Sequence, residues 1–310
     1  MMLDLVVLAK RTVADRMVEL VLSSPDGTDL PAWPLGAHID LVLPQSRIRP
    51  YSLCGDPADR TRWRVLVRHE HFHQNSTEAS ASRYIHDHLA PGDRIGCRGP
   101  HDRFRLVGAS SFAFLASGAG IAALLPMARA IAAARIYPWS LVYMSRDDEE
   151  GPLHEEVSSL GPGATVVSKY DLDRTFAAAA PGAAVYVCGG SNLVDRAEVA
   201  AAQHPRVSLH RQRFDAPSRT GGPSCDVLLA RRGERIHVPA ETSLLTALRA
   251  NGIDVPFSCG AGICGACVVA VLSGRVEHRD SILTRAERDA GSQVVTCVSR
   301  AADHHLTLDL

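Results

Sequence analysis

Cys259-Gly260-Ala261-Gly262-Ile263-Cys264-Gly265-Ala266-Cys267 is the stretch of this 310-residue chain that decides how its C-terminal part folds. The three cysteines follow the spacing C-x4-C-x2-C, and a fourth cysteine lies nearer the C-terminus. This is the ligand spacing of plant-type 2Fe-2S clusters, in which four thiolates hold two irons. The glycines let the loop turn tightly and bring backbone N–H groups close to the sulfurs. We therefore predict four metal ligands: Cys259, Cys264, Cys267 and Cys297.

The spacing alone leaves two other uses of these cysteines open. A structural zinc site is the main alternative, but zinc sites are usually built from paired C-x2-C knuckles, and the wider gap here does not match them. A disulfide pair is the second alternative, but nothing in the chain marks it as secreted. The iron–sulfur interpretation is favoured over both.

Composition and charge argue against several classes of function. Hydrophobic residues make up 46% of the chain, charged residues 22%, and the formal net charge is −1. This balance gives no support for binding to nucleic acid or to a membrane surface. Residues 1–10 form a short apolar run interrupted by Asp4, and no later apolar run is long enough to span a bilayer. We therefore expect neither a signal peptide nor a membrane span.

The cysteines outside the predicted cluster indicate the cellular compartment. Four of the eight cysteines are left over, and free thiols are typical of a reducing cytoplasm. We expect a cytoplasmic protein in which these four behave as small buried hydrophobic residues. They are Cys54, Cys97, Cys188 and Cys225.

The first 107 residues have the pattern of short strands separated by turns such as Pro25-Asp26-Gly27. Strands are predicted at residues 5–8, 17–22, 37–43, 64–68 and 94–97. Only residues 82–89 have a helical pattern. Short strands at this spacing predict an antiparallel barrel over residues 1–107.

Residues 108–214 alternate strands with helices, which predicts a parallel sheet flanked by helices. The strands are predicted at 112–116, 139–144, 165–168 and 183–188, and the helices at 124–135, 153–160 and 193–203. Residues 215–224 are rich in Gly, Pro and Ser and are predicted to be a linker. Residues 225–310 then form a third domain. It has predicted strands at 227–230 and 235–238, a helix at 243–251, the cysteine loop and then more strands.

A glycine loop, Ser117-Gly118-Ala119-Gly120, follows a buried strand and precedes a helix. Such a loop suits a phosphate, because glycine backbone allows close approach and the start of a helix presents free N–H groups. The loop lacks the full G-x-G-x-x-G spacing, and tight packing of helix on sheet is an equal alternative. The acidic run at residues 147–150 would repel an extra ribose phosphate and favour NADH over NADPH, although a solvated loop also accounts for it.

Two further patterns carry little meaning by themselves. Arg49-Pro50-Tyr51-Ser52-Leu53 places a cation and an aromatic ring on the same face of one extended segment, which is consistent with either packing or a cofactor contact. Several histidines are conceivable metal ligands, but solvated side chains are favoured. They are His69, His71, His73, His86, His88, His304 and His305.

Three blocks in this order resemble the phthalate dioxygenase reductase family and the related vanillate O-demethylase reductases. The blocks are a barrel with R-x-Y-S, a domain with a glycine loop and a Cys-Gly pair, and a plant-type ferredoxin. The resemblance extends over essentially the whole chain. It implies an antiparallel flavin-binding barrel, a parallel-sheet nucleotide-binding domain of ferredoxin-reductase type and a C-terminal β-grasp 2Fe-2S ferredoxin. The resemblance implies NADH as the electron donor and, because the ferredoxin comes last, FMN as the flavin.

The resemblance also implies roles for residues at matching positions in the barrel. Arg49 would bind the FMN phosphate, Tyr51 would pack on the isoalloxazine ring, and Ser52 would hydrogen-bond near flavin N5. Leu53 continues this motif. The pyrimidine end of the ring would meet backbone groups around Val67, and the phosphate would also meet Ser82.

In the nucleotide domain, Ser117, Gly118 and Gly120 would line the NADH pyrophosphate. Cys188 and Gly189 match the pair beside the nicotinamide, and Phe214 matches the aromatic residue that covers the flavin. The implied catalytic residues are Ser52, Cys188 and Phe214.

The chain departs from the family pattern at four places. A threonine of the glycine loop is replaced by Ala122, and the glycines before the phosphate-binding serine are replaced by Ser80 and Ala81. Gly190 stands where the family has proline, and Gln212 where it has an acidic residue.

A flavin explains how NADH, which gives two electrons at once, can supply a cluster that accepts one. We therefore predict the reductase component of a multicomponent oxygenase, with a terminal oxygenase of the Rieske non-haem iron type as electron acceptor. Three alternatives stay open at this point: a cytochrome P450 or other haem monooxygenase as acceptor, a non-catalytic ferredoxin carrier, and a zinc-stabilised structural protein.

Overall fold

In a computed structural model of the chain, the described residues are 2–43, 47–69, 81–145, 151–214, 222–257, 259–260 and 262–310. The chain divides into two compact units, Met1–Phe214 and Asp215–Leu310. Several features singled out in the sequence lie outside the described residues: His71, His73, Ser80, Ala261, the acidic run 147–150 and positions 215–221 of the predicted linker.

The first unit begins with a six-stranded antiparallel sheet in the order β4-β3-β6-β1-β2-β5. Its strands are β1 Met2–Ala14, β2 Met17–Ser23, β3 His38–Leu43, β4 Arg47–Ser52, β5 Trp63–Arg68 and β6 Arg94–His101. A bridge between Leu53 and Val65 connects the end of β4 to β5, which are the two outer strands, and so closes the sheet into a barrel. The closed barrel leaves no long free edge at this position. The helix α1, Ala81–Asp87, lies between β5 and β6 in sequence.

The barrel interior is filled by apolar side chains that alternate along the strands with outward-facing residues. Trp63, Leu20, Ile39, Leu41 and Leu53 are among the largest side chains that are fully buried. The predicted antiparallel barrel is therefore confirmed.

The second part of this unit is a five-stranded parallel sheet in the order β11-β10-β7-β8-β9. Its strands are β7 Phe112–Ser117, β8 Trp139–Met144, β9 Ala164–Val167, β10 Ala184–Gly189 and β11 Ser208–Arg213. Its helices are α2 Ile121–Ala134, α3 His154–Ser158, α4 Leu172–Ala178 and α5 Ser191–Gln203. The strand β7 is central and apolar on both faces from Phe112 to Ala116, as is typical of a strand covered by helices on both sides.

Two of these elements, α4 and β11, were not predicted from the sequence. The helix α4 is short, and it depends on Asp171, whose side chain accepts a hydrogen bond from the N–H of Asp173, and on burial of Leu172 and Phe176. The strand β11 has a polar sequence because it is an edge strand, and Arg211 and Arg213 make ion pairs with residues of α5. Polar edge strands lack the apolar run by which buried strands are recognised.

The second unit is a five-stranded mixed sheet in the order β13-β12-β18-β14-β16, with a parallel pair, β12 and β18, among antiparallel neighbours. The strands are β12 Cys225–Leu229, β13 Glu234–Val238, β14 Val268–Ser273, β15 Val276–Glu277, β16 Gln293–Val295, β17 Arg300–Ala301 and β18 His305–Leu308. β15 and β17 form a separate pair. The helix α6, Leu244–Ala250, buries its leucines against the sheet.

A second helix of this unit, α7 Arg285–Ala290, was also missed. Its start carries a complete capping box, in which Thr284 and Glu287 satisfy each other's backbone N–H groups. The pattern Thr-x-x-Glu is visible in the sequence and could have indicated the helix.

Candidate electron-transfer site

The four predicted ligand cysteines are brought together in the second unit, and all four are buried. Their thiols lie as two pairs. A hydrogen bond with Cys297 lowers the pKa of Cys267 to about 7. A hydrogen bond with Cys259 raises the pKa of Cys264 above its ordinary value. Two pairs of thiols are the donor set that two irons sharing four thiolates require, so these residues fit a 2Fe-2S cluster.

Backbone N–H groups of the same loop point at the sulfurs. The N–H of Cys259 donates to the Sγ of Cys264 at 3.4 Å, and the N–H of Gly262 donates to the Sγ of Cys297 at 3.2 Å. Gly262 has a φ of +72°, and a Cβ at this position would lie 2.6 Å from a methyl carbon of Val298. Only glycine combines this backbone conformation with this lack of space. The loop is therefore a cradle for anionic sulfur.

The R-x-Y-S segment forms the end of β4 in the first unit. Arg49 and Tyr51 lie two residues apart on one face and are half-buried, whereas Ser52 is buried. The Oγ of Ser52 has no hydrogen-bond partner among the described residues. A buried hydroxyl without a hydrogen-bond partner costs free energy. The Oγ of Ser52 is therefore suited to a hydrogen bond with a group that is bound in the complete protein. The neighbouring Leu53 is fully buried.

Val67 and Ser82, the other predicted flavin contacts, are linked through α1. The Nε2 of His86 lies 3.0 Å from the carbonyl oxygen of Val67, and Ser82 is buried near the start of the helix. The other end of the helix is held by the Nζ of Lys10, which donates to the carbonyl oxygens of His86 and Leu89.

His86 was expected to be solvated, and this expectation is wrong. Burial lowers its pKa, and its ring packs edge to face on His69 at 4.9 Å. His88, His304 and His305 are exposed as expected. The sequence around His86 did not indicate these contacts, because its hydrogen-bond partner, Val67, lies on β5.

The predicted nucleotide-binding residues meet at the carboxyl ends of β7 and β10, which are adjacent parallel strands. Gly118–Gly120 forms one 3-10 turn between β7 and α2. A Cβ on Gly120 would lie 2.0 Å from the carbonyl oxygen of Cys188, so the two loops touch through bare backbone. The N–H of Gly190 donates to the Oγ of Ser117 at 3.4 Å. This edge of a parallel sheet is where ligands bind in open α/β folds.

Tyr143, on β8, is a residue of this site that the sequence analysis missed. It is fully buried, and its hydroxyl donates to the carbonyl oxygen of Gly118 at 3.3 Å. A Cβ on Gly151 would lie 2.3 Å from the same hydroxyl, so the tyrosine is enclosed from the other side. By binding the carbonyl, Tyr143 helps to orient the glycine loop.

The predicted nicotinamide contacts lie beside this loop. Cys188 is fully buried, and burial raises the pKa of its thiol well above the ordinary value, so it stays protonated. Its Sγ lies 3.9 Å from the Oε1 of Gln212 on the neighbouring strand. The N–H of Phe214 donates to the carbonyl oxygen of Gly189 at 3.1 Å. The predicted set Cys188, Gly189 and Phe214 is therefore brought together.

A partly buried ion network joins the barrel to the parallel sheet within the first unit. Arg64 on β5 bonds Glu19 on β2 at 2.5 Å and Glu156 on α3 at 2.7 Å. Arg129 on α2 also pairs with Glu156. Burial by itself raises the pKa of Glu156, but hydrogen bonds from Arg64 and Arg129 outweigh it, and the pKa is lowered. The residues of this network lie far apart in the chain, so no sequence pattern indicated it.

Comparison with known proteins agrees with this geometry. Residues 227–302 match the family model of the 2Fe-2S iron-sulfur cluster binding domain, and residues 4–106 match that of the oxidoreductase FAD-binding domain. The fold and the site thus define an oxidoreductase with a flavin-binding domain and an iron–sulfur domain.

The chain is 33% identical to the phthalate 4,5-dioxygenase oxygenase reductase subunit of Pseudomonas putida, over 98% of this chain and 95% of the relative. The solved structure of phthalate dioxygenase reductase superposes with a TM-score of 0.71 at 30% identity, covering 100% of this chain and 98% of that one. The chain belongs to the phthalate dioxygenase reductase family.

A longer solved chain is also similar. The structure of an intact type IV self-sufficient cytochrome P450 monooxygenase matches with a TM-score of 0.86 at 35% identity, over 100% of this chain and 41% of that chain. The present chain thus spans about two-fifths of the length of that protein.

These findings confirm the predicted family, fold class and oxygenase-reductase type, together with the flavin-binding and 2Fe-2S domains. The zinc protein and the non-catalytic carrier are not supported by them. Within the described residues, no helix is long and apolar enough to cross a membrane.

Proposed function

We propose that this chain passes electrons from NADH through FMN to its 2Fe-2S cluster, and from there one at a time to a separate terminal oxygenase. The observation that carries the proposal is the match along the whole length of phthalate dioxygenase reductase, described as a structure for electron transfer from pyridine nucleotides to [2Fe-2S]. When bound, the flavin supplies the conversion between a two-electron donor and a one-electron acceptor.

In this proposal, the end of β4 holds the flavin. Arg49 binds its phosphate, Tyr51 packs on the ring, and Ser52 uses its unpartnered hydroxyl to hydrogen-bond the ring edge. Leu53 and Val67 line the ring with buried backbone, and Ser82 provides a second phosphate contact. A cation and a hydroxyl at a helix start are suited to a phosphate monoester, which is the group that ends FMN.

The edge formed by β7 and β10 holds the nucleotide. Ser117, Gly118 and Gly120 present backbone to the pyrophosphate, while Cys188 and Gly189 lie beside the nicotinamide. Phe214 is the aromatic cover that the nicotinamide replaces on the flavin. Because the Cys188 thiol stays protonated, it orients the ring as a neutral group and does not act as a nucleophile.

FMN rather than FAD, and NADH rather than NADPH, are part of the proposal. The ferredoxin-last order supports FMN, and the acidic run at 147–150 supports NADH. We further propose domains at 1–107, 108–214 and 225–310 with a linker at 215–224. A cytoplasmic location is supported by the four cysteines outside the proposed cluster, which are free thiols.

The proposed electron acceptor is a Rieske non-haem iron oxygenase. A haem monooxygenase is the second candidate, and the similarity to the self-sufficient cytochrome P450 specifically favours it. Anaerobic mixing of the NADH-reduced protein with each purified oxygenase type distinguishes them. Reduction of the P450 without reduction of the Rieske protein would reverse our choice.

The absorption spectrum before and after addition of NADH tests the electron path itself. We expect a red-brown protein whose flavin and cluster bands both bleach, and release of FMN on denaturation. A colourless protein would contradict the cluster, absence of flavin bleaching would contradict the NADH step, and release of FAD would contradict FMN.

A further inference from the structure

A buried carboxylate lies beside the cysteine loop and has no role in the electron path described above. The side chain of Asp280 has an exposed fraction of 0%. Its Oδ2 accepts hydrogen bonds from the N–H groups of Ile282 at 3.2 Å and Leu283 at 2.8 Å. The Oγ of Ser299 donates to its Oδ1 at 3.4 Å. The carboxylate therefore fixes the turn at residues 280–283, which leads into α7.

The turn is connected to a ligand cysteine by two hydrogen bonds in series. The N–H of Ser281 donates to the carbonyl oxygen of Gly262 at 2.9 Å. The N–H of Gly262 in turn donates to the Sγ of Cys297 at 3.2 Å. The contact is close, because a Cβ on Gly262 would lie 3.2 Å from the Cα of Asp280. A shift of the turn would therefore move the N–H that points at the sulfur.

Charged neighbours surround the carboxylate. The Nη2 of Arg288 lies 3.5 Å from its Oδ2, and the same guanidinium donates to the carbonyl oxygen of Asp280. The Nδ1 of His278 lies 3.6 Å from its Oδ1. Burial lowers the pKa of His278, so its ring is neutral at pH 7. Arg288 thus offsets the carboxylate charge, while the turn remains the direct mechanical link to Gly262.

We propose that Asp280 is a positioning residue that sets the reduction potential of the cluster by holding the N–H of Gly262 on the sulfur of Cys297. The proposal rests on the 2Fe-2S cluster of the proposed function. Reduction adds a negative charge to the cluster, and a hydrogen bond to the more negative state stabilises that state. Loss of the N–H···S bond therefore makes the cluster harder to reduce.

The negative charge of Asp280 changes the reduction potential in the opposite direction, so the effect of its charge can be separated from that of its hydrogen bonds. Removing a negative charge near the cluster favours the added electron and raises the reduction potential. Asp280→Asn removes the charge but keeps an oxygen for the N–H groups of the turn, and its amide can donate to the rotatable hydroxyl of Ser299. Asp280→Ala removes both the charge and the acceptor.

The test is an EPR-monitored titration of the full-length protein with dithionite and mediators, without NADH. We expect Asp280→Asn to have an unchanged or raised potential. We expect Asp280→Ala to be harder to reduce than Asp280→Asn by about tenfold in the equilibrium constant, which is about 59 mV for one electron. Equal potentials for the two variants would show that only charge matters and would overturn the proposal.

Asp303→Asn is the matched control for the charge. Asp303 lies in the same unit and makes an exposed ion pair with Arg275 at 2.6 Å. We expect its potential to equal that of the wild type. A shift as large as the difference between the two Asp280 variants would overturn the proposal, because it would show an unspecific response to substitution.

Asp280→Ser keeps the test decisive if the alanine variant does not assemble a cluster. A serine hydroxyl accepts hydrogen bonds from a following turn more weakly than a carboxylate. We expect its potential to lie below that of the asparagine variant, and an equal value would contradict the proposal. Absence of a 2Fe-2S signal in the wild type would instead contradict the proposed function itself.

Discussion

The cysteine loop of the second unit and the glycine loop of the first both depend on glycine, but for different reasons. Gly262 has a left-handed backbone and no room for a side chain, and its N–H serves a sulfur from the same domain. Gly120 has an ordinary helical φ of −59°, and it is required because the backbone of Cys188 lies against it. The first case combines a left-handed backbone with a lack of space, whereas the second is a lack of space alone.

This difference determines how each site responds to change. The cysteine loop contains three of the four proposed ligands in one short stretch, so we expect its chemistry to depend on single side chains. The glycine loop is held by the ends of β7, β8 and β10, through Ser117, Tyr143 and Cys188. Because several residues hold the glycine loop, we expect a single substitution to weaken its function only in part.

The largest effect is expected for Cys264→Ser. The variant loses one of four thiolates, so electron transfer to any external acceptor should be abolished. NADH-dependent bleaching of the flavin should persist, because the first unit is unchanged. Stopped-flow absorption separates the two steps. Cys225→Ser is the control, since Cys225 is buried in the same unit but outside the loop. Downstream reduction that survives in Cys264→Ser would contradict the cluster assignment.

Gly120→Ala should give the next largest effect. Its Cβ would lie 2.0 Å from the carbonyl oxygen of Cys188, so the two loops must separate. Overpacking of this kind typically costs about 1–3 kcal/mol, and we expect weak NADH oxidation with flavin still bound.

Gly118→Ala is the matched control for Gly120→Ala. A Cβ on Gly118 meets nothing within 4 Å, but the φ of +53° makes alanine unfavourable by about 1 kcal/mol. Thermal unfolding and NADH titration of both variants check the prediction. Equal effects would show that space around Gly120 is not the limiting factor.

Glu156→Gln should affect the stability of the first unit in a pH-dependent way. The pKa of Glu156 is lowered in the folded state, so its stabilising contribution is present above its unfolded value, 4.5, and is lost as pH falls through the folded value. We expect the variant to be less stable by about 1–2 kcal/mol at pH 7, with the difference vanishing in acid.

Separate unfolding curves for the two units, followed by flavin fluorescence and by visible absorption of the cluster, measure this effect. The second unit is the internal control. Glu156 lies in the first unit, so the unfolding of the second unit should be the same in the variant and in the wild type at each pH. A pH-independent difference between Glu156→Gln and the wild type would contradict the role given to the carboxylate.

The smallest effect is expected for Tyr143→Phe. The substitution removes one hydrogen bond to Gly118 and leaves the ring packed, so the loss should be about 1 kcal/mol. We expect the KM for NADH to rise by roughly fivefold with little change in kcat or flavin content. Tyr137→Phe, a half-exposed tyrosine of the same domain, is the control. A changed kcat with unchanged KM would contradict a role in orienting the loop.

Most of the strands and helices were predictable because their apolar residues repeat with the period of the element. The elements that were missed had weaker signals. β11 is an edge strand whose arginines pair with α5, and α4 is short and depends on one capping aspartate. The capping box of α7 is visible in the sequence, so this helix could have been predicted.

The sequence by itself indicated the four cysteines, the glycine loop and the R-x-Y-S segment, because spacing and order along the chain mark each of these patterns. Only the tertiary structure decided that Arg64 joins Glu19 to Glu156, that Tyr143 holds the glycine loop, and that Asp280 is connected to Cys297. These contacts join residues far apart in sequence, and no periodic pattern marks them. For the cysteine loop, the sequence predicted which sulfur atoms bind the metal, and the fold decided which N–H groups meet those sulfurs.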